Sequence, residues 1–285
     1  MTLEQAYKEC SRIQKKHGKS YFFATLFFQK KQRKAVNALY AFFRLPDEMV
    51  DTETPEKADV LLEQWEADWM ACMNGAETTH PVLMATRDVF FKYDIPMQYA
   101  SDFLAAMRQD LTKTRYEDYP SLQGYMYGSA VVVGLMMVYI IGWIKDTTFD
   151  QVQQPAAALG EAMQLTNFIR DIGEDFRLRG RIYMPLDELR TFHLTEKDIE
   201  QASMSQNMVE FLQWQIARAD ELYEEANKGI ALLNKEGRLP VRLASDLYRF
   251  ILRKIEQNQY DVFTKRAKTS LTEKIKTIPL SMLYV

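Results

Sequence analysis

From Tyr119 to Ile144 the chain carries no charged residue, and within that stretch "AVVVGLMMVYIIGWI", residues 130–144, is apolar throughout. A run of this kind can settle at the centre of a helical bundle or in a bilayer. The apolar run is shorter than the ~18–20 residues a spanning helix needs. Extending it backwards adds Tyr125, Tyr127, Gly128 and Ser129, which weaken the case for a span. The pattern therefore predicts a buried central helix of a large bundle. A membrane-spanning chain is the rival, and solubility without detergent separates the two.

The rest of the chain keeps the helical period. Helices are predicted near 2–16, 31–52, 56–74, 81–93, 97–113, 121–145, 151–178, 206–235 and 239–263, with a short one near 269–277. Turn chemistry places breaks at Asn74-Gly75, Pro81, Pro96, Pro120, Pro155, Arg179-Gly180 and Gly237. No alternating strand pattern, no Gly/Ser/Pro linker and no fixed repeat divides the chain. The expectation is one all-α domain over residues 1–285, and 47% hydrophobic residues are enough for its core.

Net charge is −3 with acids and bases interspersed, so no nucleic-acid partner is expected. Cys10 and Cys72 lie far apart and read as reduced thiols of a cytoplasmic protein. His17, His80 and His193 are scattered, which argues against a histidine metal site. The opening "MTLEQAYKEC" has no apolar core, so no signal peptide is expected.

Chemistry concentrates in two stretches. In "NALYAFFRLPDEMVD", residues 37–51, Asn37, Tyr40, Arg44, Asp47 and Asp51 recur at three- and four-residue intervals and share one helix face. In "QLTNFIRDIGEDF", residues 164–176, Gln164, Asn167, Asp171 and Asp175 do the same, flanked by Arg170 and Glu174. Carboxylates so placed repel one another, and when buried they call for a cation. Arg44 and Arg170 can pair with only some of them. Oxygen-only ligands suit a hard cation, magnesium or manganese, whose shell phosphate oxygens can complete. The arginines would then hold phosphate oxygens in bidentate fashion. An ordinary solvated face explains either helix alone; two matched helices bring the metal reading level with it. In "HGKSYFF", residues 17–23, His17, Gly18, Lys19 and Ser20 offer an anion site or simply a helix end followed by a loop. No nucleotide-binding glycine motif is present.

Together these segments resemble the squalene/phytoene synthase family of head-to-head prenyltransferases. "KKHGKSYFFA" resembles its diphosphate-contacting segment, and "RKAVNALYAFFRLPDEMVD" its first aspartate-rich motif. "YMYGSAVVVG" resembles its pocket helix, and "QLTNFIRDIGEDFRLRGRIYMPLDEL" its second aspartate-rich motif. The resemblance covers roughly residues 7–265. It implies an all-α isoprenoid synthase bundle around a central apolar cavity. Asp47, Asp51, Asn167 and Asp171 are implied as magnesium ligands, with Asp175 in support. His17, Gly18, Lys19, Ser20, Tyr40, Arg44, Gln164, Arg170 and Tyr248 are implied as contacts to prenyl diphosphates. Tyr125 and Tyr127 are implied as pocket tyrosines that steady a cation, against plain core packing for these and Tyr248.

Three departures stand out. Glu48 replaces an aspartate of the first motif, Gly18 stands where a serine is common, and Pro46 is expected to kink the motif helix before Asp47. The implied activity condenses two geranylgeranyl diphosphates to phytoene through a cyclopropylcarbinyl diphosphate, without NADPH. The small residues Thr25 and Asn37, at positions resembling the tail pocket, support the longer substrate. The competitor is farnesyl diphosphate, giving presqualene diphosphate, squalene or dehydrosqualene. Head-to-tail elongation and a non-catalytic helical lipid-binding or scaffold protein are the other rivals. A hydrocarbon product makes peripheral contact with a membrane, at its inner face, an expectation. Oligomeric state is not legible.

Overall fold

Thr2 opens the first helix through a reciprocal cap: its hydroxyl accepts the Gln5 N–H, and the Gln5 side chain accepts the Thr2 N–H. From there the computed structural model describes residues 1–285 as helices joined by short turns. In order they are α1 (Leu3–His17), α2 (Lys19–Thr25), α3 (Lys30–Thr52), α4 (Pro55–Met73), α5 (Pro81–Tyr93) and α6 (Met97–Gln109). There follow α7 (Tyr119–Met126), a π-helical turn (Tyr127–Val131), α8 (Val132–Ile141), α9 (Phe149–Arg179), α10 (Leu186–Thr191) and α11 (Glu196–Glu200). The chain ends with α12 (Gln206–Ile230), α13 (Lys235–Gln257) and α14 (Leu271–Met282). No strand forms beyond two isolated bridges, Arg115–Ile182 and Trp143–Leu233.

The all-α expectation holds, with differences of detail. The helices α2, α10 and α11 are too short for a 3.6-residue period to show, although α11 carries a Thr195/Asp198 cap that the sequence displays. Pro155 and Gly237 do not break the chain; they lie inside α9 and α13. Packing explains both. A Cβ on Gly229 of α12 would sit 2.2 Å from the Pro155 ring, and one on Gly237 2.2 Å from Ile141. These are close helix contacts, not turns. Pro46 leaves α3 unbroken from Lys30 to Thr52.

The helix α9 runs through the middle of the bundle and packs most extensively on α12. Ala162, Leu165 and Ile169 of α9 are fully buried, and Thr166 shares a buried 2.9 Å hydrogen bond with Tyr223. A second knot of aromatics joins α3, α4 and α5: Phe42 lies 4.8 Å from Trp69, which lies 5.0 Å from Phe90. Truncating Phe42 to alanine would cost about 3–5 kcal/mol.

The uncharged stretch becomes one continuous helix, Tyr119–Ile141, in which the π turn separates α7 from α8, and Gly142 (φ 73°) stops it. Residues Tyr119–Ile141 are long and apolar enough to cross a membrane, yet 56% of the most apolar window is buried inside the protein. It packs on α6 and α9, and its Val133, Met137 and Ile141 wall the central cavity.

Candidate active site

The polar stripes on α3 and α9 face each other across the mouth of one cavity of about 540 Å³, within the range of ligand sites. Tyr40, Arg44, Asp47 and Asp51 of α3 border it, as do Gln164, Asn167, Arg170, Asp171, Glu174 and Asp175 of α9. The walls beyond are apolar, with Leu159 and Met163 from α9, Ile230 from α12 and Val241 from α13. One chamber therefore combines a charged mouth with a hydrocarbon-like interior. Asn37 is buried but does not border the cavity, so of the two small tail-pocket residues only Thr25 lines it.

Every one of the four aspartates is paired with arginine. Arg44 pairs with Asp47, and Arg170 with Asp171. Arg266 also holds Asp171. Arg179 bridges Asp175 (3.2 Å) and Asp51 (3.0 Å), and Arg181 donates to Asp51 at 3.1 Å. This corrects the sequence argument that the protein's own bases leave acids unmatched. Arg179 and Arg181 reach in from the end of α9 and the turn after it, and Arg266 from the segment joining α13 to α14. Burial raises the pKa of Asp171, but Arg170 and Arg266 outweigh it and hold the carboxyl below its usual range. Asp175 goes the other way. Burial and the neighbouring Asp171 charge push it up to about 7, and Arg179 only partly offsets them.

The donor set suits a hard cation: carboxylates plus the Asn167 amide, whose buried Oδ1 has no hydrogen-bond partner. No cage of three or more acids, histidines or cysteines is preformed, because guanidinium groups occupy the gap. A metal fits these residues once the arginines turn away. Glu48 does not border the cavity; its carboxylate lies 3.9 Å from Arg44 Nε.

The segment His17 to Ser20 is only partly at the site. His17 borders the cavity; Gly18, Lys19 and Ser20 do not. A Cβ on Gly18 would fall 2.6 Å from the Tyr40 ring, so Gly18 is the flat surface on which Tyr40 lies. Lys19 is exposed, and Ser20 Oγ lies 3.3 Å from Thr269 Oγ1. The expected anion loop is instead the start of α2, turned away from the chamber. Tyr248 does border the cavity, stacked at 4.6 Å on Tyr21. The pair Tyr125 and Tyr127 separates. Two residues on a helix differ by about 200° in direction, so Tyr125 is buried against the cavity while Tyr127 is 45% exposed and outside it.

A family model described as Squalene/phytoene synthase matches residues 14–273. The chain belongs to this family. Among relatives of this squalene/phytoene synthase family member is the phytoene synthase of Arthrospira platensis, 35% identical over 99% of the chain and 94% of that protein. The 15-cis-phytoene synthase of Synechococcus elongatus is 36% identical with the same coverage. A solved dehydrosqualene synthase in complex with ligand superposes with a TM-score of 0.91 at 27% identity, covering 99% of the chain and 97% of that structure. The squalene synthase HpnC from Alicyclobacillus acidocaldarius gives 0.81 at 25% identity, covering 91% and 96%. These confirm the squalene/phytoene synthase fold expected from the motifs.

Sequence reasoning passed over Tyr21, Asp110, Arg179, Arg181, Tyr183 and Arg266, all of which border the chamber. Arg179 had a local signal, since it stands four residues after Asp175. Asp110 and Arg266 had none, because their partners lie far away in sequence.

Proposed function

We propose that the chain joins two prenyl diphosphates head to head, taking two geranylgeranyl diphosphates to phytoene. The carrying observation is the single chamber with an acid–arginine mouth and an apolar interior. Diphosphates bind at the mouth and isoprenoid tails lie inside. The names of relatives 35% and 36% identical over nearly the whole chain support phytoene as the product.

Magnesium, with manganese as substitute, would be held by Asp47, Asp51, Asn167, Asp171 and Asp175, and when bound supplies charge neutralisation to a departing pyrophosphate. The residues do the rest. Arg44 and Arg170, released from their aspartates, hold phosphate oxygens in bidentate fashion. Loss of pyrophosphate leaves an allylic cation, which the double bond of the second substrate attacks; loss of a first proton then closes the ring to give a cyclopropylcarbinyl diphosphate. A second ionisation, rearrangement and proton loss give the hydrocarbon. The apolar walls keep water from trapping the cations as alcohols. The Tyr125 ring face stabilises positive charge without forming a bond. Proton loss needs no NADPH.

The second reading uses farnesyl diphosphate and gives presqualene diphosphate, squalene or dehydrosqualene; the 0.91 TM-score to a dehydrosqualene synthase favours it. Incubating the protein with each diphosphate and magnesium, with and without NADPH, decides by product mass. A product of two twenty-carbon units supports the first reading, and one of two fifteen-carbon units the second. We place the enzyme in the cytoplasm with peripheral contact to a membrane. The exposed Leu271, Ile275, Leu280 and Leu283 on and after α14 support such contact, and co-sedimentation with lipid vesicles tests it.

A further inference from the structure

Asp110 is a buried carboxylate on the cavity wall whose side chain pairs with no arginine. It follows α6 directly and is 7% exposed. Its Oδ2 accepts the Tyr125 hydroxyl at 2.5 Å and its Oδ1 accepts the Tyr183 hydroxyl at 3.2 Å. Arg181 touches only its backbone: Nη2 donates to the Asp110 carbonyl at 3.1 Å, while Nη1 donates to Asp51. A buried acid sustained by two phenols costs stability, and burial pushes Asp110 up to about 6 against the pull of Arg181 and the two hydroxyls. A packing role alone would be filled better by an apolar residue.

The two tyrosines bound to Asp110 form most of an aromatic wall. The Tyr183 ring stacks on Phe168 at 4.1 Å with planes 12° apart, and lies 5.6 Å from the Tyr125 ring at 24°. Tyr125, Tyr183 and Phe168 all border the chamber. A phenol whose proton is committed to a carboxylate can offer only lone pairs and ring density to anything else nearby. Hydrogen bonding to an anion also makes the ring more electron-rich, which strengthens its attraction for a cation.

We propose that Asp110 is a positioning residue for the carbocation steps: by holding both phenol protons it fixes the electron-rich Tyr125 and Tyr183 side chains in the chamber wall, beside the reacting carbons. This rests on the head-to-head reading above. The two tyrosines touch the cation, and Asp110 acts through them. Arg181, hydrogen-bonded to both Asp51 and the Asp110 backbone, sets the distance between the aromatic wall and the acidic mouth.

The test compares wild type with Asp110→Asn, Tyr125→Phe and the double variant. It measures KM, kcat and the fate of consumed substrate. Asparagine keeps the shape but must turn an N–H₂ toward one of the phenols. The expected result is a KM within about two-fold of wild type and a kcat lowered roughly 100-fold, the scale of losing a preorganised electrostatic contact. More of the consumed substrate should leave as prenyl alcohol or cyclopropylcarbinyl diphosphate. The double variant should be no worse than the poorer single one. Asp110→Glu, which keeps the charge, should recover part of kcat and of the product split. If Asp110→Asn unfolds, Asp110→Glu carries the comparison, and a normal kcat with an altered split still supports the assignment. A wild-type split in Asp110→Asn alongside an altered one in Tyr125→Phe overturns it, and should Asp110→Asn unfold, a wild-type split in Tyr125→Phe overturns it. Fully additive losses overturn it too. Wild-type protein that releases no pyrophosphate from any prenyl diphosphate overturns the parent reading, and the assignment falls with it.

Discussion

Arg266 grips both oxygens of Asp171, its Nε 2.9 Å from Oδ1 and its Nη2 3.0 Å from Oδ2. The same carboxylate is forked by Arg170, whose Nε and Nη2 donate to Oδ1 and Oδ2. An aspartate saturated in this way has no lone pair aimed at a metal, so a cation cannot enter until an anion draws the guanidinium groups off.

The first prediction is that metal and pyrophosphate bind together. Magnesium alone should raise the melting temperature by no more than about 1 °C. Magnesium with pyrophosphate at about 100 times the dissociation constant should add about 2.7 kcal/mol of stability. That corresponds to several degrees. In Arg266→Gln the balance should shift. Asp171 keeps only Arg170, so metal alone stabilises more and added pyrophosphate gives less. Equal shifts in wild type and variant, read by thermal scanning, would count against arginine blocking the site.

The second concerns pH. The native carboxyl of Asp175 sits at about 7, above the usual aspartate value near 3.9. A raised native pKa means the folded state holds the proton more tightly, so this group's stability contribution is present at low pH and is lost as pH rises from about 4 through 7. Its full size is on the order of 4 kcal/mol. His17 and His80, both lowered by burial, act in the opposite sense up to their ordinary value, so the comparison with Asp175→Asn isolates the effect. Without metal, the variant should gain melting temperature over wild type as pH goes from 5 to 8, while losing activity. With magnesium and pyrophosphate the wild type should recover the difference, because a bound cation favours ionised Asp175. A constant offset between the two proteins at all pH values would show that Asp175 does not titrate in this range.

How much of this the sequence disclosed follows from the range of each interaction. The α3 and α9 stripes were readable because i,i+3 and i,i+4 spacing is a local property, and Asp47, Asp51, Asn167 and Asp171 do meet at one chamber. The arginine pairing was not readable. Arg181 and Asp51 stand far apart along the chain, as do Arg266 and Asp171, and only the bundle brings them together. Tyr127 failed for a simpler reason: a motif names neighbours on the chain, but a helix turns them to different sides. Pro155 and Gly237 looked like breaks because turn chemistry is local, while the contacts that hold them in helices are tertiary.

Gly18 and Tyr40 give a third prediction. Gly18 has φ −113°, which any residue adopts, so its smallness serves space and not backbone freedom. Gly18→Ser would place Cβ within 2.7 Å of the Tyr40 hydroxyl and ring, and Tyr40 borders the cavity. Overpacking of this kind costs about 1–3 kcal/mol. Tyr40 should be displaced, raising KM for the diphosphate more than it lowers kcat. Combining Gly18→Ser with Tyr40→Ala should restore the melting temperature lost in the single variant. Failure of that restoration would mean that something other than the Tyr40 ring rejects the added side chain.

The last prediction concerns tail length. Thr25 borders the chamber, is 3% exposed, donates its hydroxyl to the Tyr21 carbonyl at 2.7 Å and accepts the Gln14 amide at 3.1 Å. Thr25→Phe would add a ring to the cavity wall and remove space that the longer tail needs. It should lower kcat/KM for geranylgeranyl diphosphate by roughly 10–200-fold relative to farnesyl diphosphate, the scale of excluding a methylene or two from an apolar pocket. The same change deprives Gln14 of a partner, which costs about 1–3 kcal/mol of stability. Thr25→Val separates the two effects: it loses the hydroxyl but keeps the volume. Valine should lower the melting temperature without altering the substrate ratio, whereas phenylalanine should do both. A ratio that moves equally in the two variants would assign the effect to the hydrogen bond and not to the size of the cavity.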